Sequence, residues 1–138
     1  GTMSNLVVHF EIHATEPAVL IDFYTELLGW RFDQFGDMQY WGVSTGEGAI
    51  AQTADGATPG FGINGGLTER RGPRPESGAP VNGSTLVIAV DDVDPVFARA
   101  LELGGTEALA PDNMAGVGRL AYLQDPDGNI FGLIGPEK

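Results

Sequence analysis

The residues best suited to chemistry stand near the start of the chain, in VVHFEIHA. His9 and His13, the only two histidines, flank Glu11 at two-residue spacing. Imidazole and carboxylate side chains so placed point to two chemistries. One is ligation of a divalent metal ion, for which both are ordinary donors. The other is an acid–base or ligand-orienting couple, in which the carboxylate favours the protonated imidazole. Alternation places Val8, Phe10 and Ile12 on one face of a strand and Val7, His9, Glu11 and His13 on the other. At about 3.3 Å per residue, the two histidines lie roughly 13 Å apart. Metal–nitrogen bonds are about 2 Å long, so one ion cannot touch both. His9 with Glu11, or Glu11 with His13, is the most this strand offers a metal, and a third ligand must come from elsewhere.

A helix follows. Thr15 is placed to cap it, Glu16 suits its positive end, and Pro17 is tolerated in the first turn. Leu20, Phe23, Tyr24, Leu27 and Leu28 predict a buried stripe, and Gly29 stops the helix. Short strands are expected at 31–35, 38–44, 49–53 and 61–67, with glycine turns between them. Residues 68–83 form a proline- and glycine-rich linker holding Arg70, Arg71 and Arg74. Those arginines suit either an anion clamp or a solvated loop.

The second half repeats the first. A strand at 84–90 leads into a helix with Val93, Val96, Phe97, Ala100 and Leu101 as its stripe, ended by Gly104-Gly105. Strands follow at 107–110, 118–124 and 129–134, with Asp125-Pro126-Asp127-Gly128 as the last turn. A shift of 76 residues sets Ile12 on Ile88, Glu16 on Asp92 and Gly29 on Gly105. The order strand, helix, three strands occurs twice. Neither half can close a core alone; together they can curl an α+β sheet into a cup with the helices outside.

At 138 residues the chain is one domain, expected over 4–138, with module one at about 5–67 and module two at about 84–136. Gly1 and Thr2 precede Met3 and are read as a cloning remnant. There is no membrane-length apolar run and no signal-peptide pattern. The absence of cysteine excludes disulfides and thiolate metal sites. A cytoplasmic protein is expected. The net charge of −12 argues against nucleic acid and membrane surfaces as partners and favours a cationic ligand. GFGINGG, Gly60–Gly66, opens no helix and is a poor phosphate loop. There is no G-x-S-x-G nucleophile motif.

Four features together resemble the vicinal oxygen chelate superfamily, which includes glyoxalase I, extradiol dioxygenases and the fosfomycin- and bleomycin-resistance proteins. They are VVHFEI followed by Glu16, Asp22-Phe23-Tyr24 ending at Leu28-Gly29-Trp30, the LELGG helix end, and QDPDGNIFGLIG. The resemblance implies paired βαβββ modules, a cup lined by the concave sheet, and a homodimer. In its metal-dependent members, the first and last strands of each module supply ligands. Here His9 falls on the first such position. Thr85, a position near Asn64 or Gly65, and Gly132 fall on the others, and none is a strong ligand.

The expected site therefore takes His9 and Glu11 as catalytic or ligand-orienting candidates. Trp41, Thr85, Tyr122 and Gly132 line the binding cup. Tyr40 and Trp41 are sequence neighbours, so one of them faces the cup. The first expectation is a protein that binds a small organic molecule without metal or other cofactor, in the manner of a resistance protein. The alternative is a metal-dependent glyoxalase-, isomerase- or dioxygenase-type enzyme using His9 and Glu11. A metal-free isomerase or epimerase is the third.

Overall fold

The alternating VVHFEIHA segment forms β1 (Val7–Ala14), and the sheet is built outward from it on both sides. The computed structural model describes residues 5–49, 62–80 and 82–138. After β1 come α1 (Pro17–Leu28), β2 (Arg31–Gln34), β3 (Tyr40–Ser44) and β4 (Gly65–Glu69). The second half holds β5 (Thr85–Ala89), α2 (Val93–Glu102), β6 (Thr106–Met114), β7 (Gly118–Gln124) and β8 (Ile130–Gly135). Most of the strand expected at 49–53, and residue 61 of the next, lie outside the described residues.

One eight-stranded sheet runs in the order β2-β3-β4-β1-β5-β8-β7-β6. β1 pairs parallel with β4, setting Glu11 beside Gly66 and Ile12 beside Leu67. β5 pairs parallel with β8 in the same way, setting Val87 beside Gly132. The halves meet where β1 and β5 run antiparallel, with His9 beside Val87 and Glu11 beside Thr85. The mixed α+β fold of two βαβββ modules is thus present.

Register decides which face each side chain takes. Phe10, Ile12, Trp41, Val43 and Leu67 pack on the α1 side with Leu20 and Ile21. Ile88, Ala121, Leu123 and Leu133 pack with Val93 and Phe97 of α2. Since Phe10 pairs with Leu86, two residues from Ile88, both helices cover the same face of the sheet. The other face carries His9, Glu11 and His13 of β1. At one end it is closed by Val8, Val87, Ala89 and Ile134, with Val117 and Leu120 packed on them. Val8 reaches this face through a register shift between Val7 and His9.

Several local expectations are corrected. Glu16, not Thr15, occupies the α1 N-cap, and no side chain caps the helix. The Thr15 hydroxyl instead accepts from Arg70 Nε at 3.1 Å. Gly29 does end α1, in the left-handed conformation at φ 73°. The α1 stripe is Leu20, Ile21 and Tyr24, whereas Phe23 and Leu27 are 53% and 64% exposed. Each residue turns a helix by about 100°, so Phe23 lies well round from Tyr24. β4 ends at Glu69, so the linker begins two residues later than expected. β6 continues through Pro111 to Met114; it is an edge strand, where a proline's missing N–H is tolerated. Among the described residues no helix is long and apolar enough to cross a membrane.

Candidate functional site

Glu11 is the centre of the face turned away from the helices. Its neighbours in the sheet are Gly66 on β4 and Thr85 on β5. The Tyr122 hydroxyl donates to Glu11 Oε1 at 2.8 Å. The Tyr40 hydroxyl lies 3.5 Å from Glu11 Oε2 and 3.2 Å from His9 Nε2. His9 Nε2 and Glu11 Oε2 are 3.6 Å apart, an ion-pair distance rather than a hydrogen bond. The side chains of His9 and Glu11 are 7% and 15% exposed, so little water screens them. Beyond Glu11 on the same face, His13 Nε2 lies 3.4 Å from the hydroxyl of buried Thr85.

Glycines explain how tyrosines from neighbouring strands reach the middle of the sheet. Gly132 lies directly across from Tyr122. A Cβ at Gly132 would stand 2.8 Å from Tyr122 Cε1 and 3.2 Å from Val87 Cγ2. A Cβ at Gly66 would overlap the hydroxyl end of Tyr40. A Cβ at Gly42 would come within 3.2 Å of Phe35 Cε1. Gly42 pairs with Gly66, which pairs with Glu11, so all three aromatic groups lie over glycines of the Glu11 face.

The charges are mutually consistent. Burial raises the pKa of Glu11, but the His9 contact, the Tyr122 hydrogen bond and the charges of His9 and His13 outweigh it. The carboxyl ends below its ordinary value and is ionised at neutral pH. Burial pushes both phenols up, and the Glu11 charge and hydrogen bonds push them further, so Tyr40 and Tyr122 remain protonated donors.

Of the residues expected from sequence, the structure brings His9, Glu11, Thr85, Tyr122 and Gly132 together on this face. Trp41 is not among them: it packs under α1 with Ala14, Val43 and Leu67. Its neighbour Tyr40 faces the site. The β4 position beside Glu11 is Gly66; Gly65 faces the helices, where an added Cβ would meet Phe10 O at 2.5 Å. The Asn64 side chain accepts from Thr45 N at 2.8 Å. Phe35 and Gly42 were not expected. Gly66 occupies in module one the place of Gly132 in module two, beside Glu11 as Gly132 is beside Val87, an equivalence that strand pairing shows and the 76-residue shift does not.

The residues present do not fit a divalent metal ion. Only His9 and Glu11 offer strong donors close together, and Tyr40 stands against both. Gly66 and Gly132 carry no side chain, and Thr85 offers a hydroxyl. Among the described residues no three His, Cys, Asp or Glu side chains are grouped to hold an ion. A protein metal site generally needs three or four ligands.

This fold is shared with solved structures. A hypothetical protein from Bacillus halodurans C-125 superposes with TM-score 0.62 at 15% identity, over 99% of this chain and 97% of that one. A glyoxalase/bleomycin resistance protein/dioxygenase superfamily member from Vibrio splendidus superposes with TM-score 0.58 at 16% identity, over 94% and 97%. Methylmalonyl-CoA epimerase from Streptomyces coelicolor gives TM-score 0.60 at 16% identity, over 96% and 94%. At such identities these likenesses show the fold alone. The sequence itself matches the family described as a glyoxalase-like domain over residues 8–134, and the chain belongs to that family. Among curated relatives, "Putative glyoxylase CFP32" of Mycobacterium bovis is 40% identical over 62 residues, which are 45% of this chain and 23% of that protein. The matched stretch thus spans under a quarter of that relative's length.

Proposed function

We propose that this glyoxalase-like chain binds a small organic molecule against the Glu11 face of its sheet and does so without a metal ion. One observation carries the reading. The two last-strand positions from which a carboxylate could reach an ion are Gly66 and Gly132, and each is covered by a tyrosine whose hydroxyl engages Glu11. Aromatic walls around a few convergent polar groups are the usual make-up of a small-molecule site. Sequestration of a ligand, with no bond made or broken, needs nothing more.

A second reading, a metal-free isomerase or epimerase, is supported by the Tyr40 hydroxyl, which links His9 Nε2 to Glu11 Oε2 and offers a path for a proton.

Ligand-observed NMR with a fragment library in chelator-treated buffer tests the first reading. Fragments are expected to bind wild type and to lose binding in Tyr122→Phe and Glu11→Gln. Fragments that bind only after a divalent ion is added would overturn it.

A further inference from the structure

We propose that Phe35, Tyr40, Tyr122 and Glu11 together recognise an organic cation bearing a quaternary ammonium group. The proposal rests on the metal-free reading above and names its ligand class.

Three times on one face, an aromatic side chain lies over a glycine: Phe35 over Gly42, Tyr40 over Gly66 and Tyr122 over Gly132. Phe35 and Tyr40 meet edge to face, with centroids 5.3 Å apart and planes at 71°. Tyr40 and Tyr122 thus reach a single carboxylate, and Phe35 extends the aromatic surface beside Tyr40. Ionised Glu11 has His9 as its one ion-pair partner among the described residues. An anionic ligand would meet that charge, and the field of a chain at −12 would repel it further.

The hydrogen bonding narrows the choice among cations. Both Glu11 oxygens already face phenol hydroxyls. A primary ammonium or a metal ion would compete for those oxygens. A quaternary ammonium donates no hydrogen bond and needs only negative charge and aromatic surface, which is the composition of aromatic cages. The closed end of the face, at Val8, Ala89 and Ile134, keeps a ligand at the Glu11 end. Phe35, 51% exposed, stands at the open rim. His9 is the resident competitor for the Glu11 charge.

The test is calorimetric titration at low ionic strength with choline and with its neutral isostere, 3,3-dimethylbutan-1-ol. Choline is expected to bind wild type at least about tenfold more tightly than the alcohol, as a desolvated cation–aromatic contact beside a carboxylate allows. Glu11→Gln should erase most of that ratio. Phe35→Leu, at an exposed position that does not threaten folding, should weaken choline about three- to tenfold and the alcohol less. Equal binding of the two probes, no binding of choline, or a ratio unchanged in both variants would overturn the proposal. If neutral fragments bind in a Glu11-dependent way while choline does not, the cation class fails and the binding reading stands. If wild type holds a stoichiometric metal ion through His9, both fail.

Discussion

Removing the Tyr122 hydroxyl isolates one of the contacts that hold Glu11 ionised inside the sheet. Tyr122→Phe deletes a single oxygen and leaves the ring over Gly132, so packing changes little. The lost contact is a 2.8 Å hydrogen bond to a carboxylate whose side chain is 15% exposed. Hydrogen bonds to charged partners contribute about 1.5–3 kcal/mol. Tyr40 and His9 remain beside Glu11, so a loss of about 2 kcal/mol is expected, or a fall in Tm of roughly 5–8 °C for a domain of this size. The effect must depend on pH. Glu11 titrates lower in the folded chain than in the unfolded one, where its value is near 4.5. Its contribution is therefore present above that value and disappears as pH falls through the lower folded value. Tyr122 is shifted the other way, above its ordinary 10.0, so its contribution is present below that value and fades above it. Urea unfolding of both proteins from pH 3 to 11 should show a gap that is widest between about pH 6 and 9 and narrows at both ends. Variants of equal stability at pH 7, or a gap of the same size at pH 3, would refute the reasoning.

Gly65→Ala should destabilise more than Gly132→Ala in urea unfolding. The added Cβ at Gly65 meets the Phe10 carbonyl at 2.5 Å and backbone must move, whereas at Gly132 the nearest atom is Tyr122 Cε1 at 2.8 Å on a side chain that can shift. Losses of at least about 3 kcal/mol and about 1–3 kcal/mol are expected, and the reverse order would contradict the assigned faces. Asp125 Oδ1 accepts from the backbone N–H groups of Asp127 and Asn129 at 2.9 and 3.0 Å. Asp125→Ala should accelerate hydrogen exchange at those two amides while leaving β1 amides protected; unchanged exchange would show that the turn holds without its carboxylate.

Much of this site was legible in the sequence because β1 alternates cleanly from His9 onward. His9, Glu11 and His13 share a face whatever the neighbouring strands do. The repeat then located the strands that flank them, and the missing side chain at Gly132 was informative on its own. The choice between Tyr40 and Trp41 was not legible, since alternation sorts them onto opposite faces but only the pairing with β4 says which face is which. Gly66 was missed by one residue for the same reason: a register slip of one exchanges the faces, and β4 begins later than its glycine-rich sequence suggests. Phe35 lies just past β2, where no periodicity applies. In α1, several apolar residues spread round the helix, and composition alone could not choose Ile21 over Phe23.

Tyr40 and Tyr122 lie over Gly66 and Gly132, and we propose that this face works without a metal ion. That proposal is tested most directly by elemental analysis of protein purified without added metal or chelator, then incubated with Zn²⁺, Mn²⁺, Fe²⁺ or Ni²⁺ and desalted. The account predicts far less than one equivalent of any ion, unchanged in His9→Ala. About one equivalent in wild type that disappears in His9→Ala would contradict it.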